Sequence, residues 1–119
     1  RERANVAEVM NVVGDVEGRS CLIVDDMCDT GGSLTKVARA LKAAGAATVH
    51  ACFTHAVLSG RAAMHLAESD IEQIVVTNTI PLNSKAADMS NIKVLSIAPL
   101  LAKAIKSIHE ETSVSSLFV

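Results

Sequence analysis

The sequence predicts an α/β domain: a mainly parallel sheet flanked by helices on both faces. Three observations predict it. Short apolar runs rich in Val and Ile alternate with stretches of helical period, the order that right-handed crossovers turn into a parallel sheet. Hydrophobic residues make up 50% of the chain, yet the only aromatics are Phe53 and Phe118, so the core is built from Val, Ile, Leu and Ala, as a sheet covered by helices requires. No internal repeat or low-complexity segment interrupts the alternation, and 119 residues are at most one domain, large enough to bury roughly two thirds of its unfolded surface.

The elements follow in order. Residues 1–5 are polar and read as flexible. Residues 6–13 read as a strand, and Gly14, Asp15 and Gly18 supply the turn chemistry that would pair it antiparallel with the next one. Residues 20–24 are short, apolar and β-branched at Ile23 and Val24, which predicts a buried strand. Residues 34–44 form a helix whose Leu34, Val37, Ala38 and Leu41 fall on one face, with Lys36, Arg39 and Lys42 on the wet side and Gly45 as its stop. Residues 48–54 are the next strand, Val49, Ala51 and Phe53 facing one way and His50, Cys52 and Thr54 the other. A second helix opens at Ser59, its expected N-cap, and runs to about Glu68. Residues 71–77 are a third strand, which Pro81 forbids from continuing; residues 83–91 connect, with one helical turn. Residues 92–97 are a fourth strand. Pro99 starts the last helix, with Leu101, Ala104, Ile105 and Ile108 as its expected buried stripe. The tail, residues 113–118, is rich in hydroxyls and reads as a docked C-terminal strand.

Function concentrates between the second strand and its helix, in Leu22-Ile23-Val24-Asp25-Asp26-Met27-Cys28-Asp29-Thr30-Gly31-Gly32-Ser33-Leu34. Gly31 and Gly32 let main-chain N–H groups approach a ligand without a Cβ in the way. A helix start offers free N–H donors and a partial positive charge, so it favours an anion. That dipole is worth only about 0.3–2 kcal/mol, so a phosphate there also needs the amides and the hydroxyls of Thr30 and Ser33, either of which can cap the helix. Three carboxylates would repel a bare anion. Asp25, Asp26 and Asp29 therefore call for ribose hydroxyls or a hydrated Mg²⁺ beside the phosphate. The stretch reads best as a sugar-phosphate cradle; the plainer alternative is an acidic turn followed by a helix, since Asp and Gly are common turn residues. It is not a Walker A loop, which needs Gly-Lys-Ser/Thr, nor a Gly-x-Gly-x-x-Gly dinucleotide fingerprint.

Composition excludes other classes. A net charge of −2 with no basic block argues against a nucleic-acid surface. No apolar run reaches the ~20 residues of a membrane span, and no signal peptide is visible. Cys21, Cys28 and Cys52 have no framework spacing and read as reduced thiols of a cytoplasmic protein. Cys28 is either a reactive thiol in the loop or a small apolar filler. His50, Cys52 and His55 do not make a zinc site, because alternation puts His55 on the other face and a fourth ligand is lacking. His55 stands at the carboxyl end of its strand, where such sheets bind ligands; it either lines the site or packs.

The loop resembles the ribose-5-phosphate loop of the type I phosphoribosyltransferase fold, and the chain as a whole resembles the C-terminal part of ribose-phosphate pyrophosphokinase (PRPP synthetase). Besides the loop, Asn5-Val6-Ala7-Glu8-Val9-Met10, Gly14-Asp15-Val16-Glu17-Gly18-Arg19, Thr54-His55-Ala56-Val57-Leu58-Ser59-Gly60, Thr79-Ile80-Pro81-Leu82 and Ser113-Val114-Ser115-Ser116-Leu117-Phe118 occur in that family's order. The resemblance implies transfer of the diphosphoryl group of Mg²⁺-ATP to C1 of ribose 5-phosphate, chemistry that needs positioning and charge neutralisation. It implies that Asp25 and Asp26 hold ribose hydroxyls, with or without Mg²⁺, and that Asp29, Thr30, Gly31, Gly32 and Ser33 cradle the 5-phosphate. It implies that Arg1 ends a mobile catalytic loop and touches the sugar phosphate or the transferred group; from residues alone Arg1 is an exposed terminal arginine. It also implies a regulatory phosphate/ADP site using Ser113, Val114, Ser115, Ser116, Leu117 and Phe118, and a homohexamer.

Two departures stand out: Ser33 where the family commonly has threonine, which keeps the hydroxyl, and Cys28 where it has an aliphatic residue. The chain begins with arginine, so it is expected to be a piece, residues 1–119 forming a phosphoribosyltransferase-like C-terminal domain that lacks its first strand and helix. The N-terminal domain and a lysine two positions before Arg1 are expected outside it, and the isolated piece is expected to be inactive. The rival readings are a phosphoribosyltransferase that consumes PRPP, a non-catalytic regulatory relative, and an RNA-binding regulator on the same fold.

Overall fold

The computed structural model describes residues 11–118. Four strands, β1 (Ser20–Cys28), β2 (Thr48–Ala56), β3 (Ile71–Thr77) and β4 (Ile92–Leu95), form one parallel sheet in the order β1-β2-β3-β4. The crossovers are α1 (Gly32–Ala43), α2 (Ala62–Ala67) and α3 (Ser84–Ala87); α4 (Ala98–His109) follows β4, and a 3₁₀ turn, Ser115–Phe118, closes the described chain. The predicted parallel sheet with flanking helices is present.

Alternation decides which strand faces are buried. Val49, Ala51 and Phe53 of β2 and Ile74 and Val76 of β3 are buried together with Leu34 and Ala38 of α1, Ala62, Ala63 and Leu66 of α2 and Ala86 of α3. A register shift at Val49/His50 lets Ile71 join Ile74 in that core although the two are three residues apart. On the opposite sheet face Leu22 and Val24 are 62% and 72% exposed. Of the cover expected on both faces, that of the α1–α3 side is realised, while β1 is open on the other side. The stripe expected to be buried on α4 is open as well: none of that helix is buried, and Leu101, Ile105 and Ile108 are all more than half exposed. An amphipathic helix buries its apolar side only where a surface receives it, and the described residues present none there.

Local chemistry explains the element ends. Gly45 stops α1 with φ +100°, donating to the Lys42 carbonyl at 3.0 Å while Ala46 N–H reaches Leu41 at 3.0 Å. This pair of bonds is a Schellman cap. Pro99 sits in the first turn of α4, as predicted. Asn83 caps α3, its side chain accepting from Ala86 N–H at 2.9 Å. The strand expected over residues 6–13 lies largely outside the described residues, and residues 11–13 are not strand. The following turn instead ties to the α1–β2 corner, Gly18 N–H donating to Gly45 and Ala47 N–H to Arg19, both at 2.9 Å. The tail forms the 3₁₀ turn, not a docked strand, and packs against α4.

Candidate functional site

β1 runs four residues further than its apolar run predicts, to Cys28, because it pairs in parallel with β2 throughout: Asp25 opposite Phe53, Met27 opposite His55, Cys28 opposite Ala56. Asp25 and Asp26 therefore stand on the end of a strand, held by sheet hydrogen bonding. Both are exposed, and Asp26 N–H donates to Asp25 Oδ1 at 2.8 Å. The loop turns at Asp29, and Gly31, with φ +85°, leads into α1. That backbone conformation is one an L side chain adopts only with strain.

Residues 25–34 line a single cleft of about 480 Å³, a size that suits a small ligand. The structure thus brings together every predicted site residue from Asp25 to Ser33. Neither Thr30 nor Ser33 caps α1: the N-cap is Gly31, with no side-chain cap bond. Both hydroxyls are left for a ligand, as are the N–H groups of the first turn of α1. Arg1 lies outside the described residues. The tail residues from Ser113 to Phe118 stand at the far end of α4; Ser113 and Ser115 hydroxyls pair at 2.7 Å, and Ser116 Oγ donates to the Ser113 carbonyl at 3.1 Å.

The turn between β2 and α2 is moulded under this loop. Leu58 N–H donates to the Cys28 carbonyl at 3.0 Å and Ser59 N–H to the Asp29 carbonyl at 2.9 Å. The Ser59 hydroxyl donates to Asp29 Oδ1, so Ser59 does not cap α2 as expected; the N-cap position belongs to Arg61, without a side-chain bond. His65 Nδ1 lies 3.1 Å from the Thr30 carbonyl. Leu58 has φ +48° and is fully buried, and Asn83 Nδ2 fixes its carbonyl at 3.0 Å. Burial of a large apolar side chain offsets the left-handed strain. Asp29 thus offers the cleft its main chain, while its carboxylate is engaged below by Ser59. Sequence reading missed Ser59 and His65 as loop residues; both signals are local helix-start and helix-face residues, and nothing in their spacing points across the molecule.

Burial, then the charges of Asp25 and Asp29, push the Cys28 thiol up to about 11, against a smaller opposing effect from the Gly31 N–H. A buried thiol held protonated is a space-filler, the second of its two readings. His55 Nδ1 lies 2.8 Å from Thr79 Oγ1, and the Thr77 and Thr79 hydroxyls both donate to the Thr54 carbonyl, at 2.7 and 3.2 Å. This network pins the carboxyl ends of β2 and β3 beside the cleft. Among the described residues no group of three or more His, Cys, Asp or Glu could hold a metal ion, and no helix is long and apolar enough to cross a membrane.

The fold and the cleft define a class: a parallel α/β domain with a cleft at its strand-to-helix loop, lined by glycines, hydroxyls and carboxylates. Comparison with known proteins narrows it. The model of the phosphoribosyl synthetase-associated domain matches residues 3–119, and the chain belongs to that family. It is 56% identical over 118 residues to the ribose-phosphate pyrophosphokinase of Chromobacterium violaceum, covering 99% of this chain and 36% of that relative. It is 55% identical over 119 residues to the enzyme of the same name from Listeria ivanovii, covering 37% of it. The crystal structure of phosphoribosylpyrophosphate synthetase from Mycobacterium smegmatis superposes with a TM-score of 0.78 at 42% identity, over 83% of this chain and 33% of that one. The chain therefore spans little more than a third of the curated relatives it matches. Coverage gives a share of their length, and the C-terminal position expected from the sequence gains no support from it.

Proposed function

We propose that this chain is the ribose-5-phosphate-binding segment of a ribose-phosphate pyrophosphokinase, a cytoplasmic enzyme that moves the diphosphoryl group of ATP to C1 of ribose 5-phosphate, giving PRPP and AMP. One observation carries the reading: the cleft of about 480 Å³ is lined without a break by residues 25–34, so carboxylates, amides and hydroxyls converge on one small volume. Thr30 and Ser33 hydroxyls and the amides of the loop and first helical turn receive the 5-phosphate. Asp25 and Asp26, on the strand end, accept from the ribose hydroxyls. Their hard oxygens also fit Mg²⁺, which binds through one or two carboxylates and takes its other ligands from water and substrate phosphates. When bound, the ion neutralises phosphate charge. Arg1 is the proposed catalytic contact to the transferred group, bidentate to phosphate oxygens. The segment from Ser113 to Phe118 is the proposed phosphate/ADP effector site of a homohexamer.

The test is titration of ¹⁵N-labelled chain with ribose 5-phosphate. Amide signals of residues 25–34 should shift together, and Asp25→Asn/Asp26→Asn should lose ribose 5-phosphate while keeping inorganic phosphate. Shifts confined to other parts of the chain, or none at millimolar sugar phosphate, would overturn the assignment. AMP release from ATP and ribose 5-phosphate by the 119 residues alone would contradict their being a segment of the catalytic unit.

A further inference from the structure

We infer that His65 is a positioning residue for the phosphate cradle, acting through the peptide between Thr30 and Gly31; the inference rests on the cradle reading above. No peptide bond in the described chain is cis, so each carbonyl and the N–H that follows it lie in one plane and point in opposite directions from the chain. Three successive carbonyls at the loop, those of Cys28, Asp29 and Thr30, are all drawn toward the β2–α2 segment: the first two by Leu58 N–H and Ser59 N–H, the third by the His65 imidazole at 3.1 Å. The N–H groups that follow them therefore turn toward the cleft. A carbonyl oxygen turned that way would set a partial negative charge against the anion.

The first two anchors are main-chain bonds, indifferent to side-chain identity. The third is the one a side chain supplies, and it falls where it is needed. Gly31, with φ +85°, lacks the Cβ that would resist rotation of the peptide before it, so this plane is the easiest of the three to flip. α2 lies close enough for the contact: a Cβ on Gly31 would stand 3.7 Å from both the Ala62 carbonyl oxygen and His65 Cβ. Because a carbonyl only accepts, Nδ1 must carry the proton, which fixes the imidazole tautomer.

The experiment compares wild type, His65→Ala and His65→Asn, whose amide nitrogen can stand near the place of Nδ1. The readouts are the Gly31 amide signal without ligand, and the Kd for inorganic phosphate and for ribose 5-phosphate. His65 is exposed, so the substitutions leave the core intact, and a thermal melt checks this. His65→Ala should move the Gly31 signal and weaken both ligands by the same factor, about two- to fivefold, the worth of one neutral hydrogen bond at the surface. His65→Asn should restore both. Wild-type binding in His65→Ala, or equal weakening in the two variants, would overturn the inference and leave the cradle standing. If the wild type bound neither ligand, the cradle reading would fall and the inference with it.

Discussion

Breaking the bond between the Ser59 hydroxyl and the Asp29 carboxylate separates two roles for that acid, a ligand contact and a loop support. Ser59→Ala removes the donor to Asp29 Oδ1 and leaves two main-chain bonds, Leu58 N–H to Cys28 at 3.0 Å and Ser59 N–H to Asp29 at 2.9 Å, so the loop stays in place. A hydrogen bond to a charged group contributes about 1.5–3 kcal/mol. Both residues are exposed and water replaces much of it, so about 1 kcal/mol of stability should be lost. The freed carboxylate can then swing toward the cleft. Two like charges about 5 Å apart repel by roughly 1–3 kcal/mol at surface dielectrics, so phosphate affinity should fall at least about fivefold. Urea denaturation and phosphate titration of Ser59→Ala, Asp29→Ala and the double variant make a double-mutant cycle. The double variant should lose little more stability than either single one, and Asp29→Ala should bind inorganic phosphate better than Ser59→Ala does. A coupling energy below about 0.3 kcal/mol, or loss of phosphate binding in Asp29→Ala alone, would refute the support role.

Two further outcomes follow from the same structure. The Cys28 thiol is raised from 9.0 to about 11 in the folded chain, so between those pH values the unfolded chain binds fewer protons than the folded one and stability falls as pH rises; below pH 9 the group contributes no slope. The loss should be on the order of 1–2 kcal/mol, seen as a lower urea midpoint at pH 10.5 than at pH 8, and Cys28→Ala should flatten that difference. Gly45→Ala forces an L residue to φ +100° and sets its Cβ 3.1 Å from Glu17 Cγ; Glu17 is exposed and can yield, so the left-handed strain dominates and the cost should be about 1–2 kcal/mol, measured as a drop in urea midpoint with an unchanged slope.

Much of this protein was legible in its residues one segment at a time. The β-branched runs named the strands, and the alternation of Val49, Ala51 and Phe53 against His50 and Cys52 named the buried side of β2, because a strand's period of two is a local property. The Asp-Asp…Asp-Thr-Gly-Gly-Ser order named the loop, since close approach, anion binding and hydroxyl donation each demand those residue types within a few positions of one another. What lay beyond reach was pairing at a distance. Ser59 reads locally as a helix cap, and only parallel pairing of β1 with β2 carries it to Asp29, thirty positions away in the chain; His65 reaches Thr30 across thirty-five. Likewise, periodicity marked the stripe Leu101, Ile105 and Ile108 as apolar, but whether such a stripe is buried depends on a receiving surface, and the described residues set none against it. Composition and period determine what each segment is able to do; which of its polar groups are already spent is settled only when the sheet closes and brings distant donors against its loops.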